Sequence, residues 1–514
     1  MIPIISGFLS YIKRFNVEPV LLLFTIQAGI VQTTMGPFLY WRRCVELFNT
    51  EVPDVNQFCH ELAMHNGTNS QEQVESFVVT FSNVLMLCAA IPALIVSPLY
   101  GAWSDGSGGR KAPLLIALTG VAIYIFTFVL CTFRYEIPMY YILIGTTISS
   151  LSGGSMVVTA SCFSIITDEA HEAKKAGETG DAKQMGARIG IASAVFFVGT
   201  VLGSLLTTVL KLTPMPYKSY TFSILMAEFM LVLAFLFTMM RVKDVDGGDD
   251  TPASAQAELQ SSGSTPHPSR NILRLIGDKF AEAGTVMFKR RIGYRRLFLL
   301  LGLVLYLLLL TALGLITGVI LMFVKRKPLD WSDSRFGLFM AYANAVGAAG
   351  MVLAPKLLSK VKIFGDGANE TFVIILGLIF CIVEAAILSI SDQTWMVFFG
   401  SGFGFFGRLV YPAFRTFFAK LVQPEETGRL FSAVSIVENI TPVIGAPLFS
   451  FLFALTFEIW TGAIFAFAAC IYTIALVGMF FIHVGVLKTE GETSQSSLMT
   501  AEVQSDITST NAPI

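Results

Sequence analysis

The chain has 514 residues, of which 54% are hydrophobic and 14% charged, and its formal net charge is -1. Soluble globular proteins carry about 25% charged residues, so this chain lacks the polar surface to face water all round. With no long basic run to suggest a nucleic-acid partner, the composition leaves an all-α integral membrane protein, its chief partner the lipid bilayer.

Residues 1–11 are apolar but short, and Lys13 and Arg14 follow rather than precede them. No small-residue cleavage site appears, so this is not read as a cleavable signal peptide; 1–16 is expected to lie along the inner membrane surface. A span needs roughly 20 apolar residues. Twelve stretches qualify: 17–40, 77–101, 112–132, 138–166, 188–210, 218–240, 297–324, 334–357, 371–391, 394–419, 430–455 and 460–485.

The first outer loop, 41–75, holds Cys44, Cys59 and the acceptor triplet Asn66-Gly67-Thr68. The cysteines are a candidate disulfide or two free thiols, and Asn66 is a candidate glycosylation site because its loop faces outward. Two other triplets, at Asn369 and Asn439, fall on the inner side and within a span. Cys88, Cys131, Cys162, Cys381 and Cys470 lie in or beside spans and are read as small apolar residues.

Between the second and third spans comes Gly101-Ala102-Trp103-Ser104-Asp105, then Gly106-Ser107-Gly108-Gly109-Arg110-Lys111. Glycines allow a tight turn between packed helices. Asp105, Arg110 and Lys111 supply charges for bonds that form in one state of a moving protein and break in another. A phosphate-cradling loop would end in Gly-Lys-Ser or Gly-Lys-Thr between a strand and a helix; neither is present, which excludes an ATP-driven pump of that type.

The polar break 241–296 divides six spans from six. Its first part, 244–269, is expected to be disordered. Its second, 271–291, sets Ile272, Leu275, Ile276, Phe280, Val286 and Met287 among basic residues, as in a helix on the inner leaflet. The domains are therefore 17–240 and 297–486, with a cytosolic tail, 487–514, expected to be disordered. Inner connections carry Lys13, Arg14, Arg110, Lys111, Lys174, Lys175, Lys183, Arg241, Lys243, Lys289 to Arg291, Arg295, Arg296, Lys356, Lys360 and Lys362. Outer ones carry fewer, chiefly Arg42, Arg43, Arg134, Lys218 and the exceptional cluster Lys325 to Lys327, so both termini are placed in the cytosol.

Ionisable residues inside spans mark pathways or internal pairs. Glu228, Glu384, Arg408, Arg415 and Glu438 are the candidates for a substrate or proton pathway. Arg408 and Arg415 are seven apart, which puts them on one face of a continuous helix. Glu438 can pair with Arg415 or act on substrate, and Arg415 can instead extend to the inner surface with Lys420. None of His60, His65, His171, His267 and His483 lies mid-span, so any proton coupling falls to a carboxylate, and Glu438 is the candidate.

The chain resembles the major facilitator superfamily, and within it the solute carrier family 46 group that includes the proton-coupled folate transporter. The resemblance rests on Val17-Glu18-Pro19, Gly36-Pro37, the Gly101 to Asp105 motif and Pro328-Leu329-Asp330-Trp331. Its most specific part is Pro412-Ala413-Phe414-Arg415-Thr416-Phe417-Phe418-Ala419-Lys420-Leu421-Val422, followed by Glu425-Glu426-Thr427-Gly428-Arg429-Leu430-Phe431-Ser432-Ala433. It implies twelve transmembrane helices in two six-helix bundles, no cofactor and no metal. It also implies secondary active import of a small organic solute: an organic anion, or a folate-like, haem-like, muropeptide-like or cyclic-dinucleotide-like compound. Asp105 matches the family's motif acid and Arg415 its tenth-helix arginine. The folate transporter's fifth-helix glutamate falls at Ser193, its seventh-helix histidine near Ala312 and its loop cysteine at Asp330, so folate specificity does not follow.

Two other readings stand beside the importer. Gly199-x-x-x-Gly203 is faintly like an antiporter motif, which would suit a proton-antiporting exporter of drug-like compounds; it is also an ordinary helix-packing pattern. A non-transporting receptor or scaffold on the same fold is the third. The plasma membrane is favoured over the lysosomal one, and the sequence sets neither cargo, coupling ion nor oligomeric state.

Overall fold

The computed structural model describes residues 16–49, 55–60, 68–105, 109–134, 136–175, 182–210, 216–242, 287, 294–358, 366–422, 426–456 and 459–510. Asn66, residues 1–15 and nearly all of the linker lie outside them. The regular elements among the described residues are all helices: α1 (Glu18–Phe48), α2 (Val55–His60), α3 (Thr68–Asp105), α4 (Lys111–Phe133), α5 (Tyr140–Leu151), α6 (Gly154–Lys175), α7 (Ala182–Leu210) and α8 (Pro216–Arg241) precede the linker. After it come α9 (Arg295–Lys325), α10 (Asp333–Leu358), α11 (Asp366–Ser389), α12 (Thr394–Gly402), α13 (Gly404–Gly407), α14 (Val410–Leu421), α15 (Thr427–Thr456) and α16 (Ala463–Thr510).

These make twelve crossings. Ten are long and apolar enough to span a bilayer by themselves. Crossing 5 is α7, whose apolar part is the shorter Ala194–Leu210. Crossing 10 is assembled from α12, α13 and α14, and crossing 4 from α5 and α6. In lipid, such interruptions persist only where protein or a cavity satisfies the backbone.

The helices pack in two bundles with the same internal plan. Crossing 1 lies against 5 and 6, crossing 3 against 4 and 6, and crossing 2 against 4. After the linker, crossing 7 lies against 11 and 12, crossing 9 against 10 and 12, and crossing 8 against 10. Six added to each number of the first set gives the second. That is a repeat in packing which the residues themselves do not display. The bundles meet along two seams, crossing 2 on 11 and crossing 5 on 8.

Within a bundle, helices approach through small residues rather than through a hydrophobic effect, since lipid is as apolar as leucine. A Cβ on Gly203 would meet the Ile30 nitrogen at 2.9 Å and the Cα of Gly29 at 3.1 Å; one on Gly29 would meet the Cα of Thr200 at 3.0 Å. Gly199 is pressed against Thr25 and Leu22 in the same way. The Gly199-x-x-x-Gly203 pattern thus joins crossing 5 to crossing 1, as packing requires. Large apolar residues such as Phe126, Ile144, Phe229 and Phe481 point outward, where hydrocarbon would cover them.

One face of the molecule carries the Cys44–Cys59 bridge, with Cα atoms 5.8 Å apart; the opposite face, called the linker face below, carries the ends of α8 and α9 at Arg241 and Arg295. Gly101 and Asp105 belong to the last turns of α3 rather than to a loop, and the turn proper falls at Gly109 (φ 64°) and Arg110. Lys111 then donates to the Met239 carbonyl at 3.1 Å, tying crossing 3 to the end of crossing 6.

The tail expected to be disordered from 487 is instead a continuation of α16 as far as Thr510. Extending an existing helix adds one bond per residue fixed and needs no new nucleus. Met499, Val503 and Ile507 recur every four residues, a helical spacing that the polar composition obscured.

Gly203→Val should force crossings 1 and 5 apart. Overpacking of this kind costs about 1–3 kcal/mol, so the melting temperature of the purified protein in detergent should fall by several degrees. Gly314→Ala, where an added Cβ meets nothing within 4 Å, should leave it unchanged.

Candidate functional site

The two interrupted crossings, 4 and 10, occupy equivalent places in the two halves. Crossing 4 breaks at Gly153 (φ 95°) and Gly154 (φ 56°), conformations that a side chain would strain. Crossing 10 breaks in Gly400-Ser401-Gly402-Phe403-Gly404-Phe405-Phe406-Gly407. There the amides of Phe403, Phe406 and Leu409 bond carbonyls three residues back, at 3.1, 3.3 and 3.1 Å. Interrupted segments in corresponding positions of two repeats point to the binding site of a transporter.

The break in crossing 10 separates Arg408 from Arg415, which therefore do not share one continuous helical face. Arg408 lies along crossing 8, where a Cβ on Gly347 would meet its Cγ at 3.2 Å. It is half-buried and faces the charge of Glu384 on crossing 9. The Glu384 carboxylate lies over the break: a Cβ on Gly404 would come within 3.5 Å of it, and one on Gly407 within 3.9 Å. The glycines make the room that the carboxylate occupies.

Arg415 turns to a different set of partners. Its Nη2 donates to Glu438 Oε1 of crossing 11 at 2.6 Å. The same oxygen accepts the Tyr306 hydroxyl of crossing 7 at 2.7 Å. The Tyr306 ring sits among Tyr411, Phe414 and Phe418, with centroids 6.3, 5.4 and 5.9 Å away. This aromatic wall fixes the hydroxyl against the carboxylate. Three crossings, 7, 10 and 11, thus converge on one oxygen.

The exposure of this cluster decides what it can do. Arg415 lies six residues from the linker-side end of α14, or about 9 Å, yet its side chain is 53% exposed while that of Glu438 is 20% exposed. A guanidinium facing hydrocarbon at that depth would be costly, so its head reaches water, either between the halves or by extending along its own helix to the linker-side surface. Arginine has five N–H donors in a planar fork. The bond to Glu438 engages only part of that fork.

The disulfide face is closed instead. Arg326 at the end of crossing 7 donates to Glu75 on crossing 2, through Nε at 2.9 Å and Nη2 at 2.7 Å. Tyr220 on crossing 6 hydrogen-bonds Asp333 on crossing 8. Asp333 also takes the Lys325 ammonium at 2.6 Å, and that ammonium sits 5.8 Å above the Tyr40 ring of crossing 1. Deeper in, Asn83 donates to Ser450 at 2.5 Å and Asn344 to Ser204 at 3.4 Å. The halves are latched here.

Of the residues singled out from sequence, the structure joins Arg415 with Glu438, sets Arg408 beside Glu384, and keeps Glu228 apart from both. Glu228 lies on crossing 6, with Oε2 buried and no hydrogen-bond partner among the described residues. Gln27 Oε1 and Thr34 Oγ1, seven residues apart on crossing 1, are buried in the same condition. His483 is buried against Thr371, its Nδ1 2.7 Å from the hydroxyl, and so serves the packing of crossing 12 on crossing 9. Tyr306, Tyr411, the paired breaks and the latch were missed. Tyr306 is a lone hydroxyl within Leu-Gly-Leu-Val-Leu-Tyr-Leu-Leu-Leu-Leu, a signal that was available.

Comparison with known proteins identifies the superfamily and the fold. The sequence model of the Major Facilitator Superfamily matches residues 4–383. The lysosomal proton-coupled steroid conjugate and bile acid symporter SLC46A3 of Gallus gallus is 20% identical over 470 residues, covering 90% of this chain and 93% of its own. The class H tetracycline resistance protein of Pasteurella multocida is 23% identical over 408 residues, covering 79% of this chain and 88% of its own. Among solved structures, the human organic anion transporter MFSD10 superposes with a TM-score of 0.58 at 15% identity, covering 90% of this chain and 98% of that one; it speaks for the fold alone.

The shared Glu438 oxygen makes its two donors interdependent. In a double-mutant cycle, Tyr306→Phe and Arg415→Gln should show a coupling of about 0.5–3 kcal/mol, read from thermal stability. Additive effects would mean that they act through separate partners.

Proposed function

This chain belongs to the major facilitator superfamily of secondary transporters, and from that premise we propose that it is a carrier of the solute carrier family 46 type that moves an organic anion by alternating access. The observation that carries the reading is Arg415, a half-exposed cation whose counter-ion is the Glu438 carboxylate of the neighbouring crossing. An arriving carboxylate or sulfate competes with Glu438 for the guanidinium. When Glu438 takes a proton it stops competing, and substrate and proton bind together, which is the logic of a symporter. The name of one relative, a steroid conjugate and bile acid symporter, is in keeping with this class of cargo, and that of another, a tetracycline resistance protein, with the exporter alternative. The exporter alternative runs the same chemistry with proton and substrate exchanging at the site rather than sharing it.

The linker face is taken as cytosolic and the disulfide face as lumenal or extracellular, since disulfides persist in oxidising compartments. The two units, 17–240 and 297–486, rock about the seams between crossings 2 and 11 and between 5 and 8. The motif residues Gly101, Asp105, Gly109, Arg110 and Lys111 then stand at the linker-face gate, opposite the latch.

Uptake of a bile acid or steroid sulfate into proteoliposomes, at pH 5.5 and 7.5, tests this reading. Arg415→Ala should reduce uptake by about 10-fold or more, the range expected for losing a hydrogen bond to a charged group, about 1.5–3 kcal/mol. Arg415→Lys should recover only part of it, because it keeps the charge and loses the fork. Glu438→Gln should abolish the pH dependence while retaining exchange of substrate down its gradient. Flat pH dependence in both the parent and Glu438→Gln would remove proton coupling from the proposal. A full counterflow rate in Arg415→Ala would remove the anion site.

A further inference from the structure

On the disulfide face, crossing 2 carries a cavity that neither the latch nor the substrate site uses. It has a volume of about 550 Å³ and is lined by Arg43, at the end of crossing 1, and by Glu72, Gln73, Ser76, Phe77 and Thr80 of crossing 2. Gln73, Ser76 and Thr80 are exposed, while Val74, Glu75, Val78 and Val79 are buried on the other side of the same helix. The cavity therefore lies on the outside of the bundle. We propose that it binds the headgroup of a zwitterionic phospholipid from the disulfide-side leaflet, with the phosphate on Arg43, the ammonium against Glu72, and an acyl chain lying down crossing 2.

Two opposite charges line this cavity without joining. Glu72 forms no ion pair among the described residues. Arg43 reaches Glu46 loosely, Nη1 to Oε2 at 3.5 Å, and shares that acid with Arg42, whose Nε lies 3.0 Å from Oε1. The Arg43 Nε is buried with no acceptor among the described residues. Its guanidinium lies 4.3 Å above the Phe77 ring, a cation–π contact that holds the fork in place. The nearby Glu75 is turned to the latch and taken by Arg326. A free anion would gain Arg43 and be repelled by Glu72, and a free cation would meet the reverse. A ligand carrying both charges satisfies both walls, and a planar guanidinium fork suits phosphate oxygens.

Position in the bilayer selects a lipid among such ligands. Arg43 directly follows Tyr40-Trp41 at the end of an apolar run, and Tyr140 of crossing 4, itself exposed, packs 6.1 Å from Phe81 just below the cavity. Tyrosine and tryptophan gather at the level of the headgroups. Below it, Thr80, Val84, Ile91 and Ile95 are exposed at helical spacing, so crossing 2 presents one apolar stripe to hydrocarbon. From Thr80 to Ile91 the helix rises about 16 Å, close to one leaflet of a hydrocarbon core about 30 Å thick. Headgroup pocket and chain bed are thus in line on one helix.

Native mass spectrometry of the full-length protein, delipidated in detergent and titrated with palmitoyl-oleoyl phosphatidylcholine, tests this. The parent should bind its first phosphatidylcholine more tightly than phosphatidylglycerol, which has the phosphate and lacks the ammonium. Arg43→Ala should weaken that first binding by about tenfold or more, the range for losing a hydrogen bond to a charged group. Ser76→Trp fills the cavity and leaves both charges in place; it should weaken binding by a similar factor, which covers failure of Arg43→Ala to fold. Glu72→Gln should keep the phosphate contact and abolish the preference over phosphatidylglycerol. Equal binding by the parent, Arg43→Ala and Ser76→Trp would overturn the proposal, as would a parent that takes phosphatidylglycerol as well as phosphatidylcholine. Free phosphocholine binding as tightly as the lipid would make this a site for a soluble zwitterion, and displacement of the lipid by a steroid sulfate would make it a cargo vestibule; either result sinks the lipid site. None of these readouts depends on transport, so the carrier reading stands or falls separately.

Discussion

A charge inside a bilayer must keep its counter-charge within hydrogen-bond reach or face water, and that constraint sorts the ionic contacts of this protein into two kinds. Arg415 with Glu438, and Lys420 with Glu370 at 2.7 Å, join crossings of the same half. They survive when the halves rock. Glu75 with Arg326, and Tyr220 with Asp333, join opposite halves. They must break in every cycle. The first kind can hold a substrate site in shape through both end states, and the second can only report which end state is present. Glycine plays the matching role in the backbone. It lets crossings 1 and 5 lie flush, and it opens crossing 10 where Glu384 needs room.

Much of the fold was legible because lipid imposes it. Every crossing had to be a long apolar run, and each run was bounded by polar residues, so twelve spans and a central linker could be read directly. The duplicated packing plan could not. Packing depends on which small residues face which neighbours, and the two halves satisfy it with different residues: Gly153 and Gly154 in one, and the Gly400 to Gly407 series in the other. Legibility failed differently at the tail. There polar composition argued for disorder, while α16 runs on to Thr510 because a formed helix is cheap to extend.

The site was legible in its charges and illegible in its geometry. Arg415 and Glu438 drew attention as ionisable residues within spans, and they do meet. Arg408 and Arg415 suggested a shared face only on the assumption of a continuous helix, which the glycines interrupt. Tyr306 escaped because a hydroxyl in a leucine run carries less cost than a charge. The latch escaped for a subtler reason: Lys325 to Lys327 read as an exception to topology, whereas Arg326 answers Glu75, distant in sequence and close in space, and Lys325 answers Asp333 at the start of the next crossing.

The Arg415–Glu438 pair also bears on how the carrier responds to membrane voltage. Empty, the pair sums to zero. Loaded with one proton on Glu438 and one monovalent anion on Arg415, it sums to zero again. Each crossing of the empty or loaded site would then move no net charge, and a potential of 100 mV, worth about 2.3 kcal/mol per elementary charge, would find nothing to act on. A doubly charged anion would leave one negative charge uncompensated and make the loaded step electrogenic. On the proposed reading, in which this pair is the substrate site, the charge carried across the membrane in the loaded step is set by the charge of the cargo.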